Sequence, residues 1–149
     1  MKAVIQRVKN AVLSVGGNEI SKIEKGLVVY FCVEVGDEMP LCQKFANKLV
    51  KLRIFADNSG KTNLSVADVG GSILFVSQFT LAADLNGGNR PSFIFAEKPD
   101  IANAMYLHTA ELIKNMGIPV QKGVFGADMT IVQANDGPFT IIWDSEKNK

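Results

Sequence analysis

Gly26-Leu27-Val28-Val29-Tyr30-Phe31-Cys32-Val33 is the stretch whose reading decides the fold. After its opening glycine the run is apolar without a break. A half-buried strand alternates apolar and polar residues, whereas a strand covered on both faces reads as a continuous apolar segment. A central strand with packed layers on either side is therefore expected. Outward toward the N-terminus, residues 19–24 read as a strand entered through the Gly16-Gly17-Asn18 turn. Residues 2–9 and 11–15 read as two short strands. In the first of these, alternation puts Ala3, Ile5 and Arg7 on one face and Val4, Gln6 and Val8 on the other.

Outward in the other direction, Asp37 and Pro40 introduce a helix of about a dozen residues, with Leu41, Phe45, Leu49 and Leu52 at helical spacing. Arg53-Ile54-Phe55 reads as a short strand before an Asp57-Asn58-Ser59-Gly60 turn, and residues 72–79 as a longer strand. A glycine-rich loop from Asn86 to Asn89 leads to Arg90-Pro91-Ser92-Phe93. A second helix starts at Pro99-Asp100 and is stopped near Met116 by Gly117 and Pro119. Residues 128–134 and 139–143 read as two closing strands about an Asn135-Asp136-Gly137-Pro138 turn. Strands dominate, helices come in two blocks and connections are hairpin-length. The expectation is an α+β domain over 1–149: a curved, antiparallel-rich, barrel-like sheet with two main helices packed outside.

Composition bounds the function. The chain has 149 residues, 47% hydrophobic and 21% charged, which is ordinary globular usage. A net charge of +1 is far from that of a strongly basic nucleic-acid-binding domain, so any such contacts must be local patches. Cys32 and Cys42 sit in apolar stretches without metal-type spacing, and the N-terminus has no long apolar signal region, so reduced buried thiols in a cytoplasmic, non-membrane protein are expected.

Several motifs fail. Gly60-Lys61-Thr62 resembles the end of a phosphate-binding loop, but Phe55 stands where the first glycine belongs. No serine lies in a Gly-x-Ser-x-Gly elbow. His108, the single histidine, is placed by periodicity with Ile101, Met105 and Leu112 on the second helix's apolar face, which reads as structural. No cluster has zinc-type spacing. A hydrolase here is expected to work without a histidine base, metal or other cofactor. Lys44, Lys48 and Lys51 line the polar side of the first helix, either as a solvated face or as a stripe for RNA phosphates.

Two segments remain. Ser77-Gln78-Phe79-Thr80-Leu81 puts polar residues at the end of a strongly apolar strand, where they line a pocket or pair with a neighbouring loop. Asn135-Asp136-Gly137-Pro138-Phe139-Thr140 is locally no more than a turn. Together they match the two signature motifs of the D-aminoacyl-tRNA deacylase family. Ile5-Gln6-Arg7-Val8, Arg53-Ile54-Phe55, Gly70-Gly71-Ser72, Ala82-Ala83-Asp84, Arg90-Pro91-Ser92-Phe93 and Gly126-Ala127-Asp128-Met129 resemble that family in the same order, over nearly the whole chain. Departures fall at Thr62, Ile94-Phe95-Ala96-Glu97 and Phe139.

The resemblance implies a homodimeric enzyme that hydrolyses the ester between a D-amino acid, or glycine, and the terminal adenosine of tRNA. It implies a cis bond between Gly137 and Pro138, whose carbonyls enter the partner's active site and crowd the place of an L side chain, and an Arg7 that orients them; on the sequence alone Arg7 also reads as an exposed edge-strand arginine. Ser77, Gln78, Phe79 and Thr80 would surround the ester, with the N–H groups of Phe79 and Thr80 as oxyanion donors. Thr80 would act either as nucleophile or as a positioning hydroxyl, and the ribose 2′-hydroxyl would help activate water. Phe93 and Met129 would wall an adenine pocket, or simply belong to the core. The rival readings are a non-catalytic tRNA-binding dimer and a conventional serine or cysteine esterase.

Overall fold

The computed structural model describes residues 1–148; Lys149, the last residue of the expected 1–149 unit, lies outside the described residues. The strands are β1 (Lys2–Val15), β2 (Asn18–Ile23), β3 (Gly26–Cys32), β4 (Phe55–Ala56), β5 (Thr62–Leu64), β6 (Ser72–Ser77), β7 (Val120–Lys122) and β8 (Thr130–Asp144). Helix α1 spans Met39–Val50 and α2 spans Pro99–Asn115, each with a proline in its first turn, where a missing N–H costs nothing.

The main sheet is mixed. β1 pairs antiparallel with β2, β3 and β8, whereas β3–β6 and β6–β7 are parallel. Ser21 Oγ donates to the Lys122 carbonyl (2.6 Å), tying β2 to β7 and nearly closing the sheet into a barrel. The central strand behaves as its apolarity predicts. Leu27, Val29 and Phe31 of β3, with Ile73 and Phe75 of β6, pack under the two helices. Val28, Leu74 and Val76 fill the barrel interior with Val8, Ala11, Leu13 and Ile23. Gly26 stands where a Cβ would lie 1.8 Å from the Ser72 carbonyl oxygen, so only glycine lets β3 start beside β6.

The two short strands expected over 2–9 and 11–15 are one strand of 14 residues, and the two closing strands are one of 15. Gln6 faces Thr140 and Val8 faces Asn135, so Arg7 alone opposes the four residues Asp136–Phe139, which bulge from β8. The register shifts again between Val8 and Asn10. This second shift moves the inward face of β1 from Ala3 and Ile5, under the helices, to Ala11 and Leu13, inside the barrel.

Other differences are local. Strand β6 ends at Ser77 rather than residue 79, because the chain turns into a 3-10 helix over Phe79–Ala82. The short strand expected at 53–55 forms one residue later, at Phe55–Ala56. Cys42 and Ala46 join Phe45 and Leu49 on the buried face of α1, while Leu41 is half-buried. Helix α2 turns Met105, Tyr106, Thr109, Ala110 and Ile113 inward. That face is rotated from the expected one and leaves Ile101 and His108 exposed. Among the described residues no helix is long and apolar enough to cross a membrane.

Candidate active site

The parallel β3–β6 pair places Phe31 beside Ser77, and both chains leave the sheet there. Beyond β3, the segment Val33–Asp37 is pinned on two sides. The Met1 ammonium binds Glu34 (3.0 Å), Asp37 (2.7 Å) and Ser145 Oγ (3.0 Å). Val35 N–H donates to Phe95 O, and Glu97 N–H donates to Val33 O. Lys2 Nζ reaches Glu34 at 2.7 Å, and that hydrogen bond raises the lysine's pKa. Beyond β6, Gln78 N–H donates to the Phe31 carbonyl (2.7 Å) before the 3-10 helix begins.

The diverging segments enclose a cavity of about 340 Å³. Its walls are Phe31, Cys32, Ser77, Gln78, Phe79 and Ala96–Glu97, with Pro99, Ala102 and Tyr106 of α2 and Phe125–Ala127 and Met129 of the segment before β8. Apolar surface predominates, with few polar groups, as in sites for small organic ligands. Phe79 is 58% exposed and meets Phe93 edge-on, ring centroids 5.1 Å apart. Phe79 and Thr80 open the 3-10 helix, and the first N–H groups of a helix lack an intrahelical acceptor. Phe79 lines the cavity, so the start of this 3-10 helix lies at its edge.

Of the residues singled out in the sequence, Ser77, Gln78, Phe79 and Met129 line this cavity. Thr80 is half-buried in the next position, and Phe93 touches the site through Phe79. Arg7, Gly137 and Pro138 are elsewhere. Arg7 lies level with Leu27, four residues along the strands from the Phe31–Ser77 level, or about 13 Å. The bulge of β8 lies three strand spacings from β6, about 14 Å across the sheet. There the Gly137–Pro138 bond is cis, Gly137 has φ 131°, and both residues are exposed. Arg7 Nε donates to the Asp136 carbonyl (3.0 Å) and lies 3.2 Å from its carboxylate; Nη1 donates to the Ile54 carbonyl. The guanidinium also sits 4.9 Å over the Phe139 ring. One side chain thus holds the root of the bulge from three directions.

Sequence reasoning missed Cys32, Glu97 and Tyr106 as cavity residues. Glu97 is the one carboxylate among the described lining residues. Tyr106 donates to Phe75 O (2.8 Å), and burial pushes its phenol up. No local signal marks these positions; they meet because α2 packs over β6. Burial, then the charge of Glu34, pushes the Cys32 thiol up to about 11, so it stays protonated at neutral pH and is a poor nucleophile. His108 is exposed on α2 outside the cavity lining, so no cysteine–histidine or serine–histidine pair forms at this site.

The D-Tyr-tRNA(Tyr) deacylase family model matches residues 4–144. A D-aminoacyl-tRNA deacylase of Paracoccus denitrificans is 50% identical over 145 residues, covering 97% of each chain. One from Geotalea daltonii is 48% identical over 149 residues, covering 100% of this chain and 99% of its own. Among solved structures, a c-Myc DNA unwinding element binding protein superposes with TM-score 0.92 at 38% identity, covering 97% of this chain and 99% of that one. A probable eukaryotic D-amino acid tRNA deacylase superposes with TM-score 0.80 at 17% identity, covering 95% and 97%, and speaks for the fold alone. With a family model spanning nearly its whole length and relatives near half identity, this chain belongs to the D-Tyr-tRNA(Tyr) deacylase family.

Proposed function

We propose that the chain, as a single 1–149 domain paired with a second copy in the cytoplasm, hydrolyses the ester of D-aminoacyl-tRNA and glycyl-tRNA to free amino acid and tRNA. The observation that carries this reading is the cavity at the end of β6, where Ser77, Gln78 and Phe79, the first residue of the 3-10 helix, line a recess with Phe31, Tyr106 and Phe125. The terminal adenine stacks among Phe79, Phe93 and Met129. The ester lies against Ser77, Gln78 and Thr80. The N–H groups of Phe79 and Thr80 take the developing oxyanion, each good donor being worth roughly 3 kcal/mol. Thr80 positions the ester rather than attacking it, since His108 lies outside the cavity lining and the Cys32 thiol stays protonated at neutral pH, and the 2′-hydroxyl of the terminal ribose assists water. Positioning of this kind supplies about 7–11 kcal/mol.

Chiral selection is assigned to the main-chain oxygens of Gly137 and Pro138, held by Arg7. Within one chain they are too far from the cavity to act there, so they enter the cavity of the partner. Two features favour such pairing. Among the described residues β8 pairs on one edge only, with β1. It also exposes Val132 (68%) and Ile142 (74%), apolar side chains beside an open strand edge. Main-chain oxygens hold the α-ammonium and leave no room for an L side chain; glycine, with no side chain, escapes exclusion.

The deciding experiment incubates the protein with D-tyrosyl-, L-tyrosyl- and glycyl-tRNA. Release of D-tyrosine and glycine but not L-tyrosine is expected. Equal release of both tyrosine isomers defeats selection by exclusion, and release of neither favours a tRNA-binding module. Sedimentation at micromolar concentration should give twice the monomer mass; a monomer that stays active defeats the shared site.

A further inference from the structure

One charged feature lies outside this site. The chain as a whole is nearly neutral, yet residues 39–53 contain four cations, Lys44, Lys48, Lys51 and Arg53, and no acid. The lysines recur at i, i+4 and i+7, which puts them on one face of α1 and just past its end, about 10 Å from first to last. All four line a groove of about 370 Å³ floored by Leu52 and Trp143. Ion pairs elsewhere are made by Met1, Lys2, Arg7 and Lys22; among the described residues Lys44, Lys48, Lys51 and Arg53 have no carboxylate within 4 Å. Arg53 donates to Asn63 (3.3 Å), and its charge adds a little to the lowering of the Asp68 carboxyl that the Ser65 N–H and hydroxyl chiefly cause, so it is partly screened; the lysines are exposed.

The groove's position gives the charge a direction. Arg53 precedes Ile54, whose carbonyl is held by the same Arg7 that holds the Asp136 carbonyl. The basic row therefore ends at the root of the projecting Gly137–Pro138 bulge. If that bulge enters a partner's cavity, as the proposed function holds, the row borders the mouth of that cavity. A polyanion whose 3′ end occupies the cavity would pass along it.

We propose that the Lys44–Lys48–Lys51–Arg53 groove binds backbone phosphates of the tRNA acceptor arm, adding affinity for the whole nucleic acid without touching the reacting ester. This rests on the assignment of tRNA as substrate. An unpaired row of cations beside a site for a nucleotide end suits a phosphate chain, and such contacts are read by their salt dependence.

The test is the triple variant Lys44→Gln/Lys48→Gln/Lys51→Gln, with Lys114→Gln on α2 as control. Fluorescence anisotropy measures binding of uncharged tRNA across a salt series. Single-turnover hydrolysis compares D-tyrosyl-tRNA with D-tyrosyl-adenosine, which has the ester but no phosphates. The triple variant should bind tRNA at least tenfold more weakly at low salt, with a log–log salt slope smaller by about two to three. Its kcat/KM on D-tyrosyl-tRNA should fall in step, while hydrolysis of D-tyrosyl-adenosine and of the control stays unchanged. An unchanged salt slope, or an equal loss on both substrates, overturns the proposal. So does tighter wild-type binding to anionic vesicles than to tRNA at matched salt. Because binding of uncharged tRNA needs no catalysis, failure of the proposed activity would show as wild-type protein that binds but does not hydrolyse.

Discussion

Arg7→Met tests whether the bulge of β8 is held in place for function. Methionine keeps much of the volume and the unbranched stem but removes every donor. The wild-type guanidinium is only 14% exposed and bonds two main-chain carbonyls, those of Asp136 and Ile54. A hydrogen bond from a charged group contributes about 1.5–3 kcal/mol. The Asp136 bond alone, at 3.0 Å, therefore shifts the bulge between held and released positions by roughly 10- to 100-fold, at about 1.4 kcal/mol per factor of ten. Because Gly137 and Pro138 follow directly, their carbonyls lose their aim by the same factor. In single-turnover deacylation the variant should lose about 10- to 100-fold in kcat/KM on D-tyrosyl-tRNA, and its preference over L-tyrosyl-tRNA should narrow. Arg7→Lys should behave similarly, since an ammonium lacks the planar fork that spans two acceptors. Thermal melting and sedimentation must accompany the assay. A folded, dimeric Arg7→Met with wild-type rates on both isomers would refute the reasoning.

Three further outcomes are expected. Gly26→Ala drives a Cβ into the Ser72 main chain at 1.8 Å, so β3 and β6 must separate; the loss should reach about 3 kcal/mol and lower Tm by about 6–12 °C, and a Tm within 2 °C of wild type contradicts the close approach. The Cys32 thiol titrates near 11 when folded and near 9 when unfolded, so stability should fall as pH rises from about 9 to 11 and be unaffected by this group below that window. Tm measured from pH 8 to 10.5 should drop more steeply for wild type than for Cys32→Ala, and parallel slopes contradict the assignment. His108→Ala should keep full deacylase activity and stay within about 0.5 kcal/mol of wild-type stability, because the ring is exposed outside the cavity lining; complete loss in a folded protein would revive an esterase mechanism.

Much of the scaffold was legible because its signals are local. Leu27–Val33 advertises burial on both faces by never alternating, and α2 is bounded by Pro99 and Gly117. What escaped depends on pairing between distant residues. Lys9-Asn10 and Asn135–Pro138 look like the ends of strands, because glycine, proline and asparagine suit a bulge for the same reasons that they suit a turn. Only the register tells the two apart: Val8 opposite Asn135 and Gln6 opposite Thr140 show that both chains continue through. Strand β7, three residues long, is too short to carry any periodicity.

The same distinction governs the candidate site. A hairpin turn at Asn135–Pro138 would have put Gly137 and Pro138 at the tip of a two-stranded ribbon, free to swing. A bulge inside a continuous strand instead fixes both of its ends in the β1–β8 ladder, and Arg7, the single residue facing it, clamps its root to Ile54. Such a bulge presents main-chain oxygens from a nearly rigid base. The proposed selection by exclusion requires rigidity of this kind, because a wall that yields by an ångström no longer separates two mirror images. The residue types could be read from the sequence, and the resemblance indicates their use. Only the register shows that this backbone is tied to its neighbour on both sides of the bulge.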